Sequence, residues 1–196
     1  MADGERSALG LSVGATNLAA VTATRAVTRK PVLTLYRHRR PEVGVPSENP
    51  MLNEPGVVIT DFVDRVGDPA GIVAADGTTH RAEALVTDAL QALAYTATDG
   101  RAFPEAVVVT HPAHWPPVAV DALQAALSRV SEWSGGRLSL LPDSTAALTA
   151  LQSNPGLPSR GIIALCDFGG TGTSLTLVDA ANGYQPLGPT ARHTEF

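Results

Sequence analysis

The feature that most restricts this chain is a pattern that occurs twice. Ile162 to Val178, IIALCDFGGTGTSLTLV, is an apolar run ending in Asp167, a Phe-Gly-Gly-Thr-Gly turn, and a second β-rich run from Thr173 to Val178. Near the N-terminus, Leu11-Ser12-Val13-Gly14-Ala15-Thr16 superposes on Cys166 to Thr171 at a constant offset of 155 (12 to 167, 14 to 169, 16 to 171), again with a β-rich run on either side. Two strand-loop-strand units so far apart form an internal duplication, and they share a ligand only if the fold brings them face to face.

A loop of this kind has a definite chemical use. Glycines leave the backbone bare, so successive N–H groups can converge on an anion, and a carboxylate at the end of the first strand can hold a hydrated Mg²⁺. The competing reading of each loop is a plain hairpin turn.

Four blocks taken together are more specific than either loop. LGLSVGATN, AVVVTHPAHW (Ala106 to Trp115), LPDSTAALTAL (Leu141 to Leu151) and ALCDFGGTGTSLTLV occur in the order and rough spacing of the nucleotide-binding domain of DnaK-type seventy-kilodalton heat-shock chaperones, with Pro46-Ser47 matching a Pro-Ser after the third strand. The chain thus resembles a family of the actin and sugar-kinase ATPase superfamily over most of residues 8 to 180. The resemblance implies an α/β, ribonuclease-H-like actin-type ATPase fold, a mixed sheet with flanking helices. It also implies lobe one over residues 1–160, with 41–103 as an inserted outer subdomain, and an incomplete lobe two over 161–196.

The implied ligand is ATP or ADP with Mg²⁺. The resemblance places it against Ser12, Gly14, Ala15, Thr16 and Asn17 of the first loop and Gly169, Gly170, Thr171 and Gly172 of the second. Asp167 is the implied metal contact through water. Asp143 stands where the family has a glutamate that positions the attacking water, so Asp143 and Asp167 are the candidate catalytic residues; read from the sequence alone, Asp143 is first a helix N-cap.

Several family positions differ. Ser12 replaces an aspartate, Gly172 a threonine and Ser174 a further aspartate, and the outer-subdomain lysine has no counterpart, because the only lysine is Lys30. Phosphoryl transfer depends on positioning and on charge neutralisation by metal and cations, so these losses remove groups that act in the transition state. The expectation is a degenerate phosphate site with weak nucleotide binding and little or no hydrolysis. The alternative is a protein-interaction scaffold that reuses the fold without a nucleotide.

The rest of the chain sets the frame. Runs Ala8 to Val13, Leu18 to Ala23 and Pro31 to Tyr36 predict an antiparallel meander, Val57 to Thr60 and Gly71 to Ala74 predict strands with a turn at Asp76-Gly77, and Ala82 to Ala94 predicts a helix presenting Leu85, Ala89 and Leu93. Ala106 to Thr110 reads as a strand buried on both faces, and Pro116-Pro117 as the start of a helix that Gly135-Gly136 stops. Arg37 to Arg40 reads as a solvated loop or a local anion site, and Arg65 as a surface ion pair. His111 and His114 lack a third ligand nearby, and Cys166 in its apolar strand reads as a small core residue.

A net charge of −5 argues against nucleic acid as a partner, and no apolar run approaches the ~20 residues of a membrane span. MADGERSALG lacks the layout of a signal peptide, so the expected location is cytoplasmic. Alternation along Thr173 to Val178 places Leu175 and Leu177 on one face beside Phe168, a face that lobe two would normally cover. A protein partner, or self-association through 161–196, is the expected consequence.

Overall fold

The computed structural model describes residues 8–134 and 137–194. In Ala8–Val13 (β1) alternate side chains Leu9, Leu11 and Val13 are buried, while Gly10 and Ser12 occupy the opposite, half-buried face. Leu18–Val21 (β2) folds back antiparallel with Leu18 opposite Val13, which leaves residues 14–17 as the connecting loop. The third strand of this meander is Ala26–Arg29 (β3), not the expected Pro31 to Tyr36. Thr22 makes the difference: its amide donates to the Arg25 carbonyl and its hydroxyl accepts from the Arg25 amide at 3.1 Å, closing a turn that contains neither glycine nor proline.

Leu33–Leu35 (β4) belongs instead to a second sheet, flanked by Glu42–Val43 (β5) and Val57–Ile59 (β6). Ile72–Val73 (β7) and Thr79–His80 (β8) form the expected hairpin, with the Asp76 carboxylate accepting from the Thr78 amide and hydroxyl. Ala82–Ala97 (α1) follows, three residues longer than predicted at its C-terminal end; Leu85, Ala89 and Leu93 are buried, and so are Val86, Leu90 and Ala94.

Ala106–His111 (β9) lies parallel to β1, with Leu9 opposite Val107 and Leu11 opposite Val109. Its Val107, Val109 and His111 are buried and the alternate residues half-buried, so one face is fully covered and the other partly. Pro117–Leu127 (α2) starts on its proline and buries Ala119, Leu123 and Leu127 against the core. Ser131–Ser134 (α3) is a single turn, and Gly135-Gly136, predicted as the helix stop, lie outside the described residues. Arg137–Pro142 (β10) pairs parallel with β9 and leads directly into Asp143–Ser153 (α4).

The main sheet therefore has the order β10-β9-β1-β2-β3, two parallel pairings followed by two antiparallel ones. Helix α1 packs on β1, β2 and β3, α2 packs on α1, and α4 runs against β9 and β10. The molecule is a mixed α/β structure with flanking helices. One buried cluster joins the main sheet and α1 to Leu33, Val43, Ile59 and Phe62, so the second sheet shares the same core. Among the described residues no helix is long and apolar enough to cross a membrane.

The last sheet is built on Ile162–Gly169 (β11) and Gly172–Asp179 (β12), antiparallel from Ile162 opposite Asp179 to Gly169 opposite Gly172. The ladder runs further than the sequence suggested and reduces the glycine turn to Gly170-Thr171. Two short pieces, Gln185–Pro186 (β13) and Ala191–His193 (β14), pair on the other edge of β12. Gly188-Pro189 separates them, because proline has no N–H to continue a ladder.

Cys166 is exposed, contrary to its expected place in a core. It shares an outward face with Ile162, Ala164 and Phe168 of β11 and with Leu175 and Leu177 of β12, and no described element covers that face. Phe168 is 81% and Leu177 42% exposed.

Candidate functional site

The two repeated loops line one cleft. Its volume is about 410 Å³, and its walls come from the end of β1 and the loop after it, the turn after β9, the start of α4, and the inner face of the β11–β12 hairpin. Each wall is placed by its strand. β1 and β9 are parallel neighbours that end at the same level, so Ser12 to Thr16 and Pro112 to His114 emerge side by side. Because β10 is parallel to β9, Asp143 at its C-terminal end arrives at that level too.

The loops touch each other as well as the cavity. A Cβ added to Gly170 would lie 2.5 Å from Thr16 Cγ2, and one added to Gly14 would lie 2.9 Å from the Asn17 carbonyl oxygen. Both positions therefore fit only glycine without movement. The amides of Ala15, Thr16, Gly170 and Thr171 donate to no described backbone carbonyl, which leaves four donors at the junction of the loops.

Of the residues predicted for binding, Ser12, Gly14, Ala15, Thr16, Gly169, Gly170 and Thr171 line the cleft; Asn17 and Gly172 do not. Gly172 is engaged through its carbonyl, which accepts from Arg192 Nη1 at 3.1 Å. The candidate catalytic pair Asp143 and Asp167 both line the cavity.

Asp143 is the first residue of α4, and Pro142 holds the cap position. Its Oδ1 accepts from the Ala113 amide at 3.0 Å, so the carboxylate ties the β9 turn to the start of α4. Burial raises its carboxyl above the ordinary aspartate value; the Ala113 amide opposes this and the neighbouring charge of Asp167 adds to it. The Asp167 side chain accepts no hydrogen bond from a loop amide among the described residues, because β11 runs on past it to Gly169.

Sequence reasoning missed Asp64, Thr176 and Arg192 among the polar lining residues, while Ser174, noted there only in place of a family aspartate, lines the cleft too. Arg192 sits opposite Ser174 in the β12–β14 ladder and shares its inward face. Its Nη1 donates to Ser174 Oγ at 3.2 Å and its Nη2 to Thr171 Oγ1 at 2.7 Å. His114, which the sequence left without a third metal ligand nearby, is 3.4 Å through Nδ1 from Ser174 Oγ, and burial followed by the charge of Arg192 pulls it below the ordinary histidine value. His111 lies on the core side of β9, 3.0 Å from the Pro112 carbonyl, so the two imidazoles serve different surroundings.

The candidates outside the cleft have local partners. Arg65 pairs with Asp68 at 2.9 Å, Arg39 pairs with Glu42 and Glu54 beneath the Tyr36 ring, and Arg40 stacks on Tyr95.

The lining carries three carboxylates, Asp64, Asp143 and Asp167, against one guanidinium. A polyphosphate entering such a cleft is repelled unless a cation accompanies it. The described residues gather no group of three ligating side chains for a bare metal ion, whereas dispersed carboxylates suit an ion that keeps most of its water, as Mg²⁺ does. No protein-family model matches the chain, and no curated protein matches it.

Proposed function

We propose that this chain is a nucleotide-binding module of the actin-type ATPase fold, akin to the heat-shock chaperones, which holds the phosphates of ATP or ADP between its two glycine loops with little or no hydrolysis. The observation that carries the reading is that loops 155 residues apart in sequence, Ser12–Thr16 and Asp167–Thr171, line one cleft and pack through Gly170 and Thr16. The strand order β10-β9-β1-β2-β3, a meander extended by two parallel strands, supports the fold half of the reading.

In this reading the free amides at the loop junction bind phosphate oxygens, and Asp167 holds the hydrated metal. Mg²⁺ supplies neutralisation of phosphate charge when bound. Asp143 stands where a water would be oriented, but its Oδ1 is occupied by the Ala113 amide and its burial favours the protonated form, which limits it as a base. Ser12 and Ser174 offer hydroxyls in place of the family's carboxylates, so the metal is held loosely and turnover is low.

Calorimetry with ATP and Mg²⁺, run beside a phosphate-release assay, tests this. Micromolar binding without turnover, weakened by Asp167→Asn, is the expected result. Absence of binding favours a second reading, a protein-interaction scaffold, which the exposed apolar face bearing Ile162, Phe168, Leu175 and Leu177 supports.

A further inference from the structure

We propose that Arg192 and Thr171 form an anion subsite for the terminal phosphoryl group of a polyphosphate, a cation supplied from β14 in a chain whose single lysine lies elsewhere. This rests on the reading of the cleft as a phosphate site and adds the residue that reads the charge. Register places it: Ser174 pairs with Arg192 across the β12–β14 ladder, so both side chains face the cleft, while Ala191 and His193 take the other face.

The partners of the guanidinium are the main argument. Its three hydrogen bonds go to the Gly172 carbonyl, Ser174 Oγ and Thr171 Oγ1, all neutral oxygens. No described carboxylate pairs with it, although Arg25, Arg39, Arg65 and Arg81 all have acidic partners. The side chain is half-buried at a cavity wall, so its charge is fixed in place without a direct carboxylate partner. Arginine has five N–H donors, and two stay available. Neutral acceptors orient the fork without cancelling it, which is how a positioned anion receptor differs from a structural ion pair.

Thr171 completes the subsite. Its hydroxyl oxygen accepts from Arg192, which leaves the hydroxyl proton free to donate, and its amide and that of Gly170 have no backbone acceptor. Two guanidinium N–H groups, one hydroxyl and two amides make five donors around one corner of the cleft. Three oxygens of a terminal phosphoryl group can use them together; a single carboxylate cannot. His114 adds no second charge, because it is held toward its neutral form beside the same serine.

The test uses the 196-residue chain. Binding of MgATP, of magnesium pyrophosphate and of adenosine is measured by calorimetry for the wild type, Arg192→Ala and Arg192→Lys, with thermal melts to show that each variant folds. Losing a charge-assisted contact weakens MgATP and pyrophosphate by about 10- to 100-fold in Arg192→Ala, with Arg192→Lys intermediate and adenosine unchanged. In parallel, the Arg192 Nε–Hε resonance of the wild type is followed as pyrophosphate is added, a readout that does not depend on the variants folding.

Pyrophosphate binding that moves this resonance, with no binding of MgATP, supports the subsite and removes the nucleotide reading. MgATP binding equally tight in the folded Arg192→Ala variant overturns the subsite and leaves the nucleotide reading intact. A resonance unmoved by pyrophosphate up to millimolar concentration also overturns the subsite.

Discussion

Replacing Gly170 by alanine isolates the contact on which the cleft depends. The backbone at Gly170 is not left-handed, so alanine brings no dihedral penalty, and the effect is confined to the new methyl group. That methyl would lie 2.5 Å from Thr16 Cγ2 and 3.3 Å from Thr16 Cβ, against the ~3.5–4.0 Å of ordinary carbon contacts, so the loops must part by about 1 Å. Thr16 is β-branched and stiff, and the hairpin tip is held by the ladder from Ile162 to Asp179, so neither side yields freely. Overpacking of this kind costs roughly 1–3 kcal/mol. Thr16→Ser deletes the clashing methyl, and the double variant Gly170→Ala/Thr16→Ser is expected to recover most of the loss. Urea denaturation of the wild type, both single variants and the double variant gives the coupling directly, expected at about 1–2 kcal/mol. Additivity of the two substitutions to within ~0.5 kcal/mol would show that the loops do not pack against each other, and with that the shared cleft is refuted.

Three further outcomes follow from charge and exposure. The carboxyl of Asp143 is raised by folding, so the folded state binds its proton more tightly than the unfolded one; stability therefore falls as pH rises from about 3.9 through the raised value and is level above it. Asp143→Asn removes that slope, which urea melts between about pH 3 and 7 resolve. Glu132 behaves in the opposite sense: hydrogen bonds from Tyr95 first, then Ser131, lower it from 4.5 to about 2, so its contribution is present above 4.5 and is lost as pH falls through about 2. In Tyr95→Phe the carboxyl signal of Glu132, followed by NMR, is expected to titrate closer to 4.5. On the outward face, burying the exposed portions of Leu175 and Leu177 in a symmetric pair of chains contributes ~1 kcal/mol per side chain, so Leu175→Ser/Leu177→Ser weakens self-association by about 10²–10³-fold in light scattering. An unchanged monomeric particle in both proteins removes that face as an interface.

The parts of the structure that were legible in the sequence are those fixed by local rules. Apolar, β-rich runs mark β1 and β9, the prolines mark the start of α2, and Asp76-Gly77 marks its hairpin. The two glycine loops were visible as a repeat, and the fold places both in one cleft. What was missed depends on contacts between distant segments or on turns without the usual residues. The turn before β3 closes on the Thr22 hydroxyl and offers no glycine to read. Asp64 lies in a single 3₁₀ turn, Val63–Arg65, whose position at the cleft is set by the packing of Phe62 and Val63 into the shared core. Arg192 follows an irregular stretch through Gly188-Pro189, and only its pairing with Ser174 brings it to the loops. Cys166 was misjudged because alternation tells which residues share a face but not whether that face is covered.

The cleft and the apolar face are consequences of one another. Along β12 the side chains alternate as Ser174, Thr176 and Val178 inward and Leu175 and Leu177 outward, the reverse of a strand that simply packs on a core. Shifting the register by one residue would bury the leucines, but it would also remove Ser174 from Arg192 and His114 and take Thr176 off the cleft wall. Thr176 is fixed further by its hydroxyl contact to Thr190 at 2.8 Å, which ties the same face to the segment leading into β14. The inward polar set therefore accounts for the exposure of the outward set: a strand with a period of two that lines a polar site on one side must carry its apolar residues on the other. A partner that covers Leu175 and Leu177 would press on the strand that holds Ser174 and, through the ladder, Arg192. A ligand that orders β12 from the cleft is therefore expected to tighten any association on the outer face by the same factor by which that association tightens the ligand.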